Sequence, residues 1–397
     1  MAGTMSGGEA AERIVVVGGG PAAQAAAAAY REAGGTGAVT ILAREDELPY
    51  ERPPLTKDFL RGESDREALP LVDAAWYEEH RIDLRTGVEA TELDLGAATV
   101  RGARGEAFGF DRVLLATGAE PIVPSLPGAD RPQVQTVRRV GDSERLAELG
   151  AGDRALIVGS GFIGCEAAAS LAMRGAAVTL ATIEAAPQVE RLGEEVAAEI
   201  AGWLGDLGVD LLTEAELASI GSAEERAVRA RLDGAEDVVA DRVLLALGVG
   251  RDDGLAAAAG VAVEDGIEVD AAMVAADPRV LAAGDVAFAY NAAAGRRLRV
   301  EHWGEALNMG EVAGRTLAGV EAAWDVAPGF WSTIGARTLK YAGWGDGWEE
   351  SRFEPGEDGA FACWYGRDGT LVGVAAHRDD ASYERGRELI EERAPWS

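Results

Sequence analysis

Two short glycine-rich turns constrain this chain more than any other feature. They are Gly18-Gly19-Gly20-Pro21-Ala22-Ala23 and Gly159-Ser160-Gly161-Phe162-Ile163-Gly164, each following a β-branched run and each opening an alanine-rich segment. Ile14-Val15-Val16-Val17 and Leu156-Ile157-Val158 have the continuous apolar character of strands buried in a parallel sheet. After such a strand the first glycine makes the tight turn, the second lets backbone approach a pyrophosphate, and the third position packs helix on strand. Free N–H groups and partial positive charge at the helix start then favour phosphate. One copy is weak evidence, because a strand-to-helix turn without a ligand reads the same way. Two copies in this context predict two dinucleotide sites.

The rest of the sequence fits an α/β fold: two Rossmann-like nucleotide-binding domains, the first of them interrupted, and a small α+β C-terminal domain. A helix is expected over 21–32, ended by Gly34-Gly35, and a strand over 39–43. Glu45 follows about twenty residues past the first turn, where an acid hydrogen-bonds an adenosine ribose; Asp46 and Glu47 are close rivals. Arg112 to Leu115 reads as a strand running into Ala116-Thr117-Gly118, and Pro121, Pro124 and Pro127 mark a crossing between domains. In the second domain, Val243-Leu244-Leu245-Ala246-Leu247-Gly248 echoes the stretch that ends at Gly118. Beyond Arg251 the chain returns to the first domain, with a buried strand at Val280-Leu281-Ala282 running into Ala283-Gly284-Asp285. From about Pro328 aromatic residues are more frequent, and strands are expected over 361–365 and 371–374. The expected ranges are 12–118 and 250–326 for the first domain, 119–249 for the second and 327–397 for the third.

A formal net charge of −31, from 37 basic and 68 acidic residues, argues against nucleic acid and anionic membrane surfaces as partners. It leaves room for a local basic docking patch, for which Arg296, Arg297, Arg299, Arg337 and Lys340 are candidates. Two cysteines, Cys165 and Cys363, give neither a disulfide framework nor a cysteine metal site, and no metal site is expected. Met1 to Glu12 is small and polar, unlike a signal peptide, so a cytoplasmic protein is expected.

At a further set of residues the chain resembles a known family. Leu48-Pro49-Tyr50-Glu51-Arg52-Pro53-Pro54-Leu55-Thr56-Lys57-Asp58 is similar to the proline-rich stretch, ending in a lysine beside the flavin, of the FAD-dependent ferredoxin reductases of bacterial oxygenase systems, the putidaredoxin reductase and rhodocoxin reductase group. Ala116-Thr117-Gly118, Ala283-Gly284-Asp285, Glu301-His302-Trp303 and Phe330-Trp331-Ser332 match further blocks in the family's order. The resemblance covers almost the whole chain and implies the glutathione-reductase-like FAD/NAD(P) fold. It implies FAD and NADH as cofactors, with NADPH an alternative, and a [2Fe-2S] ferredoxin as the electron acceptor.

The same resemblance implies roles. Lys57 would be the cation that stabilises negative charge on a flavin that has accepted hydride. Glu166 would be its carboxylate partner near the nicotinamide, Asp285 would bind the ribityl hydroxyls, and Trp331 would cover the flavin ring or its edge. Arg52, Glu301, His302 and Trp303 would stand near the flavin or nicotinamide. Relatives that prefer NADH carry a glutamate where this chain has Thr182, with Glu184 two residues on. Two other departures are Thr333 and Ile334, where many relatives have Asp and Gln, and Gly250-Arg251-Asp252, expected to touch only a hinge. Two other functions fit the superfamily. One is a flavin disulfide reductase or an enzyme of the NADH peroxidase or oxidase type, disfavoured because no cysteine precedes Cys165. The other is a non-enzymatic flavin redox sensor akin to apoptosis-inducing factor.

Overall fold

Arg13–Val17, the strand that enters the first glycine turn, pairs in parallel with Ala38–Leu42 on one side and Arg112–Leu115 on the other. Ile82–Arg85 and Val280–Ala282 complete a five-stranded sheet at its two edges. Four of the five residues of Arg13–Val17 are buried, as a strand covered on both faces requires. The chain moves outward one way through Ala38–Leu42 and the other way through Arg112–Leu115, so the order reverses at the glycine turn. Ligands of open α/β sheets bind at such a switch point.

Arg154–Val158 repeats this arrangement, between Ala177–Ala181 and Arg242–Leu245, in a second five-stranded sheet. The repetition extends to side chains. Arg13 holds Asp111 through its backbone N–H (2.8 Å), Nε (3.2 Å) and Nη2 (2.8 Å). Arg154 holds Asp241 the same way, at 2.9, 3.1 and 2.8 Å. Each fork ties the entry of the central strand to the entry of its returning neighbour, and each holds its carboxyl below the usual aspartate range, chiefly by the side-chain hydrogen bond.

The computed structural model describes residues 11–223 and 227–396. The expected ranges 119–249 and 327–397 run over residues 224–226 and 397, which lie outside the described residues. The chain divides into two compact units. The first comprises residues up to Tyr50 with Pro70–Gly118 and Arg251–Val326; the second comprises Glu51–Leu69, Ala119–Gly250 and the chain from Ala327. Residues 51–69, which the sequence reading groups with 12–118, thus sit in the second unit. There Ser143 Oγ donates to Leu55 O at 2.7 Å and Ser170 Oγ to Thr56 O at 2.7 Å.

In the first unit the helix Pro21–Glu32 lies against Trp303–Leu317, and the approach is close enough to exclude side chains. A Cβ on Gly310 would lie 2.4 Å from Ala22 O, and one on Gly314 2.2 Å from Ala26 O. In the second unit the aromatic-rich segment forms an antiparallel sheet in the order Gly329–Ile334, Arg337–Gly343, Thr370–His377, Phe361–Arg367, Glu350–Pro355. Helix Asp380–Glu391 follows, begun by Asp379, whose side chain accepts from Ser382 N. No helix among the described residues is long and apolar enough to cross a membrane.

Candidate active site

In the first unit the turn after Val17 is set by steric exclusion. Gly18 has φ 129°, and a Cβ there would lie 2.0 Å from Ala116 O. Only glycine fits. Gly20, the residue preceding helix Pro21–Glu32, has ordinary φ (−100°), and a Cβ on it would meet nothing within 4 Å. Backbone is therefore bare on the side where the helix N–H groups point, while Pro21 occupies the first helical position, where no N–H is needed. Ala22 and Ala23 are buried beneath the turn.

Other sequence-selected residues follow directly on strands of the same sheet. Glu45, beyond Ala38–Leu42, is half-buried and accepts from Tyr50 Oη at 2.6 Å; Asp46 is exposed. Ala116, Thr117 and Gly118 follow Arg112–Leu115, where Thr117 Oγ1 donates to Asp252 O at 2.5 Å and Gly118 turns with φ 76°. Gly284 follows Val280–Ala282; a Cβ on it would come within 3.1 Å of Ala22 Cβ, and half-buried Asp285 is next. Glu301 is bound by Arg299 at 2.7 Å, and His302 and Trp303 begin helix Trp303–Leu317. Arg251 opens the last segment of this unit, directly after the boundary at Gly250 and so where a hinge was expected; its side chain is 9% exposed and paired with Asp265 at 2.9 Å. Breaking a buried ion pair by removing one partner would leave the other charge uncompensated. Glu305 was not foreseen; it is 3% exposed and accepts from Trp324 Nε1 at 2.8 Å.

The second unit builds its turn the same way. Gly159 has φ 104° and a Cβ there would lie 2.3 Å from Ala246 O; one on Gly164 would lie 2.0 Å from Gly159 O. Gly161 precedes helix Phe162–Met173, and Ile163 is exposed beside it. Gly248, with φ 89°, has open space where a side chain would stand. Ser160 Oγ donates to Thr182 Oγ1 at 2.8 Å, which turns Thr182, 4% exposed, back onto the glycine turn. Half-buried Glu184 follows exposed Ile183, and its Oε2 accepts from Glu190 N at 3.4 Å.

Glu166, on Phe162–Met173, is 5% exposed and has four donors. Lys57 Nζ at 2.8 Å and Thr56 Oγ1 at 2.6 Å reach Oε2; Ser332 Oγ at 2.8 Å and the Thr333 N–H at 3.3 Å reach Oε1. A carboxylate withdrawn from water requires this many partners. Lys57 and Glu166 are thus brought together, whereas Thr56 and Ser332 were not foreseen as partners. Arg52, nearby in sequence, donates to Arg138 O at 2.6 Å.

Ser332 lies on Gly329–Ile334, where alternation puts Trp331 on the opposite face, half exposed, while Phe330 packs 4.7 Å from the Phe162 ring. Ile334 is buried, and Thr333 Oγ1 stands 3.1 Å from Thr338 Oγ1. The basic patch does not stand free. Arg297, Arg299, Arg337 and Lys340 are paired with Glu268, Glu301, Asp206 and Asp380 respectively.

Residues 12–310 match the family model described as pyridine nucleotide-disulphide oxidoreductase. The chain belongs to this family. Among curated oxidoreductases it is 31% identical to rhodocoxin reductase of Rhodococcus erythropolis, over 79% of this chain and 74% of that one. It is 30% identical to ferredoxin–NAD(P)(+) reductase fdr of a Sphingomonas species, over 92% and 89% of the two chains. Among solved structures, the covalent putidaredoxin reductase–putidaredoxin complex superposes with a TM-score of 0.91 at 26% identity, covering 98% of this chain and 94% of that one. The family uses FAD and NAD(P)H. In this oxidoreductase neither cysteine is a poised thiol: both are buried, burial raises Cys165 strongly, and it pushes Cys363 up to about 11.

Proposed function

We propose that this chain takes hydride from NADH onto FAD and passes the electrons singly to a [2Fe-2S] ferredoxin that serves an oxygenase. The observation that carries the reading is the buried carboxylate of Glu166, which holds the Lys57 ammonium at 2.8 Å on the helix that leaves the second glycine turn. Two buried thiols with raised pKa values speak against disulfide chemistry.

The residues present fit two dinucleotides, because each twelve-residue helix is preceded by a glycine whose Cβ would meet no atom closer than 3.9 Å. In the first unit Gly18, Gly20, Pro21, Ala22 and Ala23 would cradle the FAD pyrophosphate and Glu45 its ribose. Ala116, Thr117, Gly118, Gly284, Asp285, Glu301, His302 and Trp303 would line the remainder. In the second unit Gly159, Gly161, Phe162, Ile163, Gly164 and Gly248 would hold the nicotinamide nucleotide. Bound, the flavin accepts an electron pair as hydride and releases electrons one at a time.

The chain's own groups prepare for that charge. Lys57 presents a cation that Glu166 orients and Thr56, Ser332 and the Thr333 N–H keep in register. Burial of the pair keeps water from screening it. Trp331 and Arg52 are assigned to the flavin's neighbourhood. Glu184 favours NADH, since its charge would repel a 2′-phosphate. The proposal divides the chain into FAD-binding segments 12–118 and 250–326, an NAD(P)H-binding domain 119–249 and a C-terminal domain 327–397, in a cytoplasmic enzyme. The test is turnover of the purified yellow protein with NADH and NADPH against a panel of [2Fe-2S] ferredoxins. Reduction of at least one, faster with NADH, is expected; a flavin that NADH reduces but that serves no one-electron acceptor would instead favour the redox-sensor reading.

A further inference from the structure

Helix Val189–Asp206 is interrupted at Gly193, where φ is 83° and ψ 170°. Just before the break two carbonyls accept from aromatic side chains. Trp348 Nε1 donates to Arg191 O at 2.9 Å, and Tyr365 Oη donates to Leu192 O at 2.8 Å. The two rings pack at a centroid distance of 5.5 Å, and a Cβ on Gly193 would lie 3.3 Å from the Trp348 ring. Tyr365 and Leu192 are both fully buried. Residues 191–193 are therefore pinned by two side chains whose donors suit only carbonyls placed there.

What this turn carries outward is Arg191. Its guanidinium carbon lies 5.9 Å from the centroid of the Phe162 ring, and Phe162 is the first residue of the helix leaving the second glycine turn. Among the described residues Arg191 makes no ion pair, although the chain carries a net charge of −31. An exposed, planar cation at the mouth of a helix N-terminus suits a diphosphate, which it can meet with two parallel N–H donors.

We propose that Trp348 and Tyr365 are positioning residues for the nicotinamide dinucleotide: they hold the 188–193 turn so that Arg191 faces the pyrophosphate. The inference rests on the assignment of the second glycine turn to that nucleotide. The pyrophosphate is common to NADH and NADPH, so the effect falls on both, unlike that of a group that reads the ribose.

The test is steady-state kinetics of the flavin-loaded protein with ferricyanide as acceptor and each nucleotide varied. Trp348→Phe keeps a ring and removes the N–H; KM rises about fivefold for both nucleotides while kcat moves less than twofold. Tyr365→Phe, which loses only a hydroxyl, acts in the same direction, and visible spectra and melting temperatures report folding of both variants. Arg191→Gln raises KM about tenfold or more, and adding Trp348→Phe to it brings no further rise, because the tryptophan acts through the arginine. Unchanged KM in both aromatic variants, multiplying effects in the double variant, or a fall in kcat at constant KM would overturn the proposal. A KM rise confined to NADPH in Arg191→Gln would place the arginine on the 2′-phosphate and overturn it as well. A wild-type protein that oxidises neither nucleotide would instead bring down the enzyme reading itself, an outcome visible before any variant is compared.

Discussion

In the first unit a Cβ on Gly18 would strike Ala116 O; in the second, a Cβ on Gly159 would strike Ala246 O, and the Arg–Asp forks at the strand entries match bond for bond. Past the turns the two helices part. Pro21–Glu32 is fixed by shape: Ala22 and Ala26 on one helix meet Gly310 and Gly314 on another. Phe162–Met173 is buried continuously from Gly164 to Leu171 and carries a carboxylate in the middle of that stretch. The same turn thus serves two ends. One helix meets its neighbour through small residues, and the other carries a buried charge pair, to which the proposed function gives a part in the chemistry.

The sharpest break of that comparison lies at the first turn. Gly18→Ala introduces both a backbone clash and a strained φ, and it destabilises the protein by about 4 kcal/mol or more, measured by thermal unfolding. Gly20→Ala leaves the fold intact, because open space surrounds that position, but it covers the bare backbone. It should yield folded protein with weakened flavin retention, read from the visible spectrum. If both alanines behave alike, steric exclusion is not what distinguishes the two glycines.

Next in size is Glu166. Glu166→Ala strands Lys57 and three further donors and costs about 3–5 kcal/mol in unfolding experiments. Glu166→Gln retains the shape but loses the charge, and NADH-driven bleaching should slow by about 100-fold in stopped flow. The corresponding insult to the first unit is Gly314→Ala, which overpacks the helix contact. It should cost about 1–3 kcal/mol and leave the rate of bleaching of the folded, flavin-loaded fraction close to that of wild type. Equal kinetic damage from both would erase the proposed division of labour.

The smallest effect concerns the two forks. Each aspartate is held below its unfolded pKa, so its contribution is present above that pKa and fades as pH falls through the folded one. Asp111→Asn and Asp241→Asn should each flatten the loss of stability between about pH 5 and 2. The change is larger for Asp241, whose side chain is 32% exposed against 46% for Asp111. Acid unfolding curves of the two variants decide it.

Much of this was legible in the sequence, for reasons that differ by region. The two turns and their strands are local: glycine spacing and β-branched runs dictate them within a few residues. The partners of Glu166 are not local. Thr56 and Ser332 stand 110 and 166 residues from it, and nothing in a threonine or serine marks it as a donor to a distant carboxylate. Thr333 looked like a lost polar group, yet it contributes its backbone N–H, which any residue but proline supplies. Gly310 and Gly314 likewise read as ordinary helix glycines until the facing alanines are known. The placement of 51–69 in the second unit is likewise not local: there Ser143 and Ser170 donate to the carbonyls of Leu55 and Thr56, 88 and 114 residues away.

The central claim, a flavin charged by nicotinamide and served by the Lys57–Glu166 pair, is tested most directly by anaerobic titration of the purified protein with NADH. A yellow protein bleached by one equivalent of NADH per flavin, and recoloured by a one-electron acceptor, is the expected result. Protein that stays colourless after incubation with FAD, or a bound flavin that NADH leaves oxidised, would contradict it.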